Sequence, residues 1–197
     1  MIGIIDYGAG NLYSVQKALN YLGLANSIAS QPGELAVCEK LLLPGVGHFG
    51  SAMERLQATE LLPALKDWLA RDRPFLGICL GMQLLFSSSE EAPGASGLDF
   101  FKGHARPYLC RPRLQIGWNT VQTLKASAIW PLPANEYYYY VNGYSLRPAD
   151  RKIVTAVSDY GGEFAAAVQC GRVWGVQFHP EKSAAAGLEL LQRWGTS

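Results

Sequence analysis

A chain of 197 residues, 49% of them hydrophobic, is long enough to bury one substantial core and is read as a single domain over residues 1–197. Its 17 Lys and Arg against 16 Asp and Glu argue against a nucleic-acid or membrane-surface partner held by bulk charge. No apolar run approaches the roughly 20 residues that span a bilayer, and Met1-Ile2-Gly3-Ile4-Ile5-Asp6 reaches a polar loop without a basic leader. The four cysteines, Cys38, Cys79, Cys110 and Cys170, are scattered with no Cys-x-x-Cys pair. That spacing predicts neither a disulfide framework nor a structural zinc, and a reducing cytoplasmic setting.

In chain order, Ile2 to Ile5 reads as a short buried strand, and Asp6 to Gly10 as a loop. Asn11 is a good N-cap for a helix with Leu12, Val15, Leu19 and Leu22 on one face, stopped by Gly23. Ser27 to Ala29 and Lys40 to Leu43 are the next strands. After them, Gly45, Gly47 and Gly50 satisfy Gly-x-Gly-x-x-Gly. A dinucleotide site also needs an acidic residue at the end of the following strand. Here the next segment is helical instead, with Ser51-Ala52-Met53-Glu54 as a capping box and Leu62, Leu65, Trp68 and Leu69 as an apolar face. The glycine loop can equally offer backbone N–H groups to an oxyanion.

Pro74-Phe75-Leu76-Gly77-Ile78-Cys79-Leu80-Gly81-Met82-Gln83-Leu84-Leu85-Phe86 is the stretch around which the rest is organised. An apolar strand is broken by Gly-x-Cys-x-Gly and resumes as a helix through Phe86. This is the thiol form of a nucleophile elbow, whose tight turn leaves no room for side chains beside the nucleophile. The start of the following helix, with its unpaired N–H groups, favours a thiolate. Helix and strand alternate regularly to this point. The fold class is therefore α/β, a mostly parallel central sheet flanked by helices, with sites at the carboxyl ends of its strands.

From Ser87 the texture changes. Ser87 to Gly94 reads as a loop. Short strands through Phe100–Phe101, Tyr108–Leu109, Trp118–Val121 and Tyr137–Val141 predict a smaller antiparallel portion in the C-terminal half, as a second sheet or hairpin layer. Tyr137 to Val141, aromatic on both faces, reads as a buried strand, and Asn142-Gly143 as a hairpin turn. Val173 to Phe178 is a late strand that delivers His179-Pro180-Glu181, and Ser183 caps a closing helix bearing Leu188, Leu191 and Trp194.

A thiol nucleophile needs a base, and the chain has three histidines. His48 lies in the glycine loop, and His104 reads as a surface-loop residue. His179 stands at a strand end with Glu181 two residues on, placed to hold the imidazole in one tautomer.

Gly-Ile-Cys79-Leu-Gly-Met-Gln with Phe-His179-Pro-Glu181 resembles the class I, triad-type glutamine amidotransferases. Asp6 to Asn11, Pro44-Gly45-Val46-Gly47, Gly117-Trp118-Asn119 and His179 to Ser183 make the chain similar, from about Ile2 onward, to the glutaminase subunits of imidazole glycerol phosphate synthases. The resemblance implies a flavodoxin-like fold, L-glutamine as substrate, and no cofactor or metal. It implies that Cys79 attacks the carboxamide to give a glutamyl thioester, with His179 as acid and base and Glu181 orienting it. It further implies an oxyanion hole from Leu80 N–H and the Gly45–Val46–Gly47 loop, with Gln83 and Gly47 seating the amino-acid end of glutamine. The implied partner is a (β/α)8-barrel cyclase in a heterodimer, receiving ammonia through a channel near Lys182, Tyr139 and Asn142. Two segments depart from the pattern: Asn142-Gly143-Tyr144 stands where the family often has His-Ser-Tyr, and Leu114 where it usually has proline. Rival readings are the same chemistry feeding an aminosugar or anthranilate-type synthase, a non-catalytic regulatory module, and a general cysteine hydrolase or redox sensor.

Overall fold

A computed structural model of the protein describes residues 1–130 and 135–197. Its first part alternates strand and helix: β1 (Ile2–Ile5), α1 (Leu12–Tyr21), β2 (Asn26–Ala29), α2 (Pro32–Ala36), β3 (Lys40–Leu43), α3 (Phe49–Ala58), α4 (Leu61–Ala70), β4 (Phe75–Ile78) and α5 (Leu80–Leu84). Then come β5 (Phe86–Ser89), β6 (Phe101–Pro107), β7 (Gln115–Thr123), β8 (Asn135–Asn142), β9 (Tyr144–Pro148), β10 (Val154–Asp159), β11 (Glu163–Cys170), β12 (Val173–Val176) and α6 (Ala184–Thr196).

The centre of the sheet runs β2-β1-β3-β4-β12, and every neighbouring pair in it is parallel. These strands read as continuous apolar runs because both faces are covered. Leu41, Leu43 and Phe75 face a core shared with α3 and α4, whereas Leu42, Leu76 and Ile78 face one shared with α1 and α6. The Asn11 side chain accepts from Ser14 N–H as a cap, and Gly23 takes φ +68° just beyond α1, as the sequence predicts.

The register of three strands positions the site. Leu43 pairs with Gly77, and Ile78 with Val176, all in parallel. The loop after β3, the elbow after β4 and the segment after β12 therefore leave the sheet at the same edge, side by side. Among the described residues no helix is long and apolar enough to cross a membrane.

Several local expectations are corrected. The antiparallel strands are no second sheet: β11 pairs with β12 and continues the same sheet through β10, β7 and β8. One edge of the eight-residue β11 is shared by β12 and, at Ala165, by β9, which leads on to β6 and β5. Helix α5 stops at Leu84, and Phe86 to Ser89 form a strand where a helix end and a loop were expected. Leu98, Phe101 and Gly97 N–H groups take the carbonyls of Leu84, Leu85 and Ser87 and draw the chain out. Helix α3 starts at Phe49, not Ser51, because the Glu91 carboxylate accepts the Phe49 N–H at 2.7 Å from across the fold. A left-handed Glu60 (φ 58°) then separates α3 from α4.

Strand β6 ends at Pro107, so Tyr108–Leu109 is not a strand. Among the described residues strand β8 pairs only with β7 and so forms an edge of the sheet. Tyr138 and Tyr140 are buried while Tyr137 is 60% exposed, so the strand is not buried on both sides. Asn142-Gly143 is no hairpin turn, since β8 and β9 pair with different strands.

Candidate active site

Cys79 sits between β4 and α5 with φ 54° and ψ −110°, a conformation that L-residues rarely adopt. Its N–H donates to Val176 O at 2.8 Å, which ties the elbow to β12. The surrounding glycines are required by contact. A Cβ on Gly81 would lie 1.9 Å from Leu43 O, one on Gly77 2.7 Å from Gly81 O, and one on Gly45 2.5 Å from Gly81 N. The glycine loop after β3 is thus pressed directly onto the elbow, and the strained residue is the cysteine itself.

Opposite the elbow, His179 is 2% exposed and held by its backbone. Its N–H donates to Tyr139 O at 2.8 Å, and its carbonyl accepts from Ser183 Oγ at 2.6 Å. Ser183 Oγ also accepts Tyr139 N–H at 2.9 Å. Ser183 therefore stitches β8 to the histidine, and its hydroxyl does not cap α6 as the sequence suggested.

The His179 Nδ1 lies 2.8 Å from Glu181 Oε1, and both side chains are shielded from water. A carboxylate accepts only, so Nδ1 carries a proton and Nε2 is left for the thiol side. Burial by itself would pull the His179 pKa down. A Cys79 thiolate, by charge and hydrogen bond, and the Glu181 carboxylate outweigh it and push it up to about 10.

A cavity of about 350 Å³ opens over these groups. Of the residues singled out from the sequence, Val46, Gly47, Cys79, Leu80, Gln83, Asn142, His179 and Lys182 line it. Gly45 lies beneath, against Leu80 and Gly81; Glu181 stands behind His179; Tyr139 touches the site only through its backbone. Gln83 is 4% exposed, and its Nε2 donates to Gln177 Oε1 at 3.0 Å and Tyr144 O at 3.4 Å. It is a buried residue of the site, not a solvated first-turn residue.

Six wall or floor residues, Gly143 and Tyr144 among them, escaped the sequence reading of the site. Glu91 and Val141 line the cavity, as does Leu114, noted in the sequence only as a departure. Gln177 lies under Cys79, its Nε2 donating to Sγ at 3.7 Å. Gln177 had a readable signal, a polar residue inside the apolar run Val176-Gln177-Phe178; Glu91 had none. The other two histidines lie elsewhere. His48 bonds the Glu91 carbonyl (3.0 Å) and lines a larger cavity, about 570 Å³, between α3, α4 and residues 92–97. His104 lies on β6, not in a loop, 3.7 Å from the Glu90 carboxylate.

Residues 3–194 match the family described as glutamine amidotransferase class-I. The chain belongs to the class-I glutamine amidotransferases. Within this family it is 43% identical over 196 residues to the imidazole glycerol phosphate synthase subunit HisH of Moorella thermoacetica, covering 98% of this chain and 93% of that protein. It is 42% identical to the HisH subunit of Rhodopirellula baltica, covering 100% of this chain and 98% of the other. The chloroplastic imidazole glycerol phosphate synthase hisHF of Arabidopsis thaliana is 39% identical over 98% of this chain but only 34% of its own length. Among solved structures, a glutamine amidotransferase superposes with a TM-score of 0.77 at 16% identity, covering 98% of each chain. PurLQS from Thermotoga maritima superposes with a TM-score of 0.78 at 16% identity, over 98% of this chain and 95% of that one. At that identity the likeness concerns the amidotransferase fold.

Proposed function

We propose that this class-I amidotransferase is the glutaminase subunit of an imidazole glycerol phosphate synthase, and that Cys79, His179 and Glu181 hydrolyse L-glutamine in the cavity described above. The observation that carries the reading is His179, locked by Glu181 at 2.8 Å on one side and coupled in charge to Cys79 on the other. His179 Nε2 takes the thiol proton, and Cys79 Sγ attacks the side-chain carboxamide carbon. The carbonyl oxygen becomes an oxyanion, facing the Leu80 N–H at the start of α5 and the Gly45–Val46–Gly47 loop. Collapse breaks the C–N bond as His179 returns the proton to nitrogen, which leaves as ammonia. Water, deprotonated by His179, then cleaves the glutamyl thioester, so that glutamate and the free thiol result. Glu181, bonded to Nδ1, orients the ring and stabilises each imidazolium.

The amino-acid end of the substrate meets groups with spare capacity. Gln83 commits its amide N–H groups to Gln177 and Tyr144, which leaves Oε1 to accept from the substrate ammonium. Glu91 spends Oε2 on Phe49 N–H and keeps its other oxygen for the same charge. Gly47 (φ +98°) presents backbone toward the substrate carboxylate.

Ammonia released here passes to a (β/α)8-barrel cyclase subunit in the histidine pathway. Lys182 and Asn142 line the cavity and the half-buried Tyr139 on β8 accepts the His179 N–H, which supports a route for ammonia past these three residues. Full-length similarity to HisH subunits supports this reading, as does the match to one third of the hisHF chain. The test is Cys79→Ser assayed with the cyclase. Glutamine-dependent synthesis is lost, while ammonium salts still support the reaction. Glutamine use retained by the variant would remove Cys79 from the mechanism.

A further inference from the structure

Another cavity, about 360 Å³, shares no lining residue with the catalytic one. It lies on the antiparallel part of the sheet and is walled by Tyr108 and the turn Tyr160-Gly161-Gly162. Strands β6 and β9 pair His104 with Arg147 and Arg106 with Ser145. Arg106 and Arg147 are therefore diagonal neighbours on one face, while Ala105 and Leu146 turn into the core. Both arginines line the cavity.

Neither guanidinium has a carboxylate partner among the described residues. Among the described residues Arg147 Nη1 donates to the neutral Glu163 carbonyl alone, at 2.9 Å, and Arg106 Nε has no acceptor. The Nε atoms of both arginines are buried without a hydrogen-bond partner, as is Oγ of Ser145 directly across from Arg106. Glu163, the one carboxylate on the cavity wall, is already paired with Arg151 at 2.6 Å. Burial, and then the like charge of Arg106, hold the Arg147 pKa below the ordinary arginine value. Two half-buried cations facing each other with no counter-charge are costly unless an anion bridges them. Guanidinium donors in a paired arrangement suit the oxygens of a phosphate, and the tyrosine wall leaves room for an organic group behind it.

We infer that the cavity between Arg106 and Arg147 is a phosphate-binding site, for inorganic phosphate or a small phosphomonoester, separate from the glutamine site.

The experiment titrates the full chain with sodium phosphate and with ribose 5-phosphate, following ³¹P NMR linewidth and thermal midpoint, against sodium chloride at matched ionic strength. Binding with a dissociation constant of about 1 mM or tighter is expected, weakened at least about tenfold in Arg106→Gln and in Arg147→Gln. In phosphate-free buffer Arg106→Gln melts no lower than the wild type, because it removes a repelling charge. If Arg106→Gln fails to fold, Arg147→Gln and the wild-type NMR titration still decide the matter. Tight binding of ribose 5-phosphate assigns the site to a phosphorylated metabolite, and preference for inorganic phosphate assigns it to the free ion. A response equalled by chloride, binding untouched by both substitutions, or displacement of phosphate by glutamine overturns the inference.

Discussion

Replacing Cys79 with alanine is expected to shift the titration of His179, and the structure gives the sign. In the wild type, burial disfavours the imidazolium, while a thiolate at Cys79 and the carboxylate of Glu181 favour it strongly enough to raise the pKa to about 10. The interval from the ordinary 6.5 to about 10, at about 1.36 kcal/mol per tenfold change, corresponds to about 5 kcal/mol. A histidine whose proton is held more tightly in the folded chain contributes this stability in full below pH 6.5 and loses it as pH rises through about 10. Alanine removes both Cys79 contributions and leaves burial opposed by Glu181 alone, so the proton is released at lower pH and the loss of stability begins earlier. The chain has only His48, His104 and His179, so ¹⁵N-labelled imidazoles can be followed individually by NMR from pH 5 to 11, with urea unfolding over the same range as the second readout. A His179 titration still near 10 in the alanine variant would refute the thiolate–imidazolium pair on which the mechanism is built.

Ser183→Ala takes the acceptor from Tyr139 N–H in a part-buried setting and leaves His179 O with the Lys182 N–H as its one donor. A loss of about 1–3 kcal/mol is expected, read as a thermal midpoint about 2–4 °C lower per kcal/mol, together with a fall in kcat. Gly45→Ala puts a methyl group 2.5 Å from Gly81 N, a backbone atom that cannot yield, and moves the loop off the elbow. Glutamine turnover is expected to fall about a hundredfold or more, as for the loss of an oxyanion donor, and calorimetry to show about 1–3 kcal/mol of destabilisation. Gln177→Leu removes the donor beneath Cys79 Sγ and one partner of Gln83. Steady-state kinetics are expected to show kcat/KM lower by up to about tenfold, consistent with one net hydrogen bond.

The parts of the fold legible from residues alone are those whose signal is local. Continuous apolar runs marked β1, β3, β4 and β12, and 3.6-residue spacing marked α1 and α4. Misreadings fell where a distant group overrode the local pattern. The Ser51–Glu54 box lost to a carboxylate at Glu91, forty residues on, that satisfies an earlier N–H. Phe86 fits a helix by spacing, but its neighbouring carbonyls are taken by residues 97–101, and the helix ends. The Asn142-Gly143 dipeptide has hairpin chemistry, yet β7 had already claimed β8 and left β9 to other partners.

The same division runs through the site. Gly-x-Cys-x-Gly and His-Pro-Glu are short enough for sequence to determine both the tight turn that carries Cys79 and the i+2 carboxylate that bonds His179. That Cys79 and His179, one hundred positions apart, share a cavity depends on β12 inserting in parallel beside β4, a long-range pairing that no local pattern encodes. Glu91, Gln177 and the paired arginines likewise acquire their surroundings only once the sheet is assembled, because burial and hydrogen-bond partnership belong to the packed chain and not to any stretch of it.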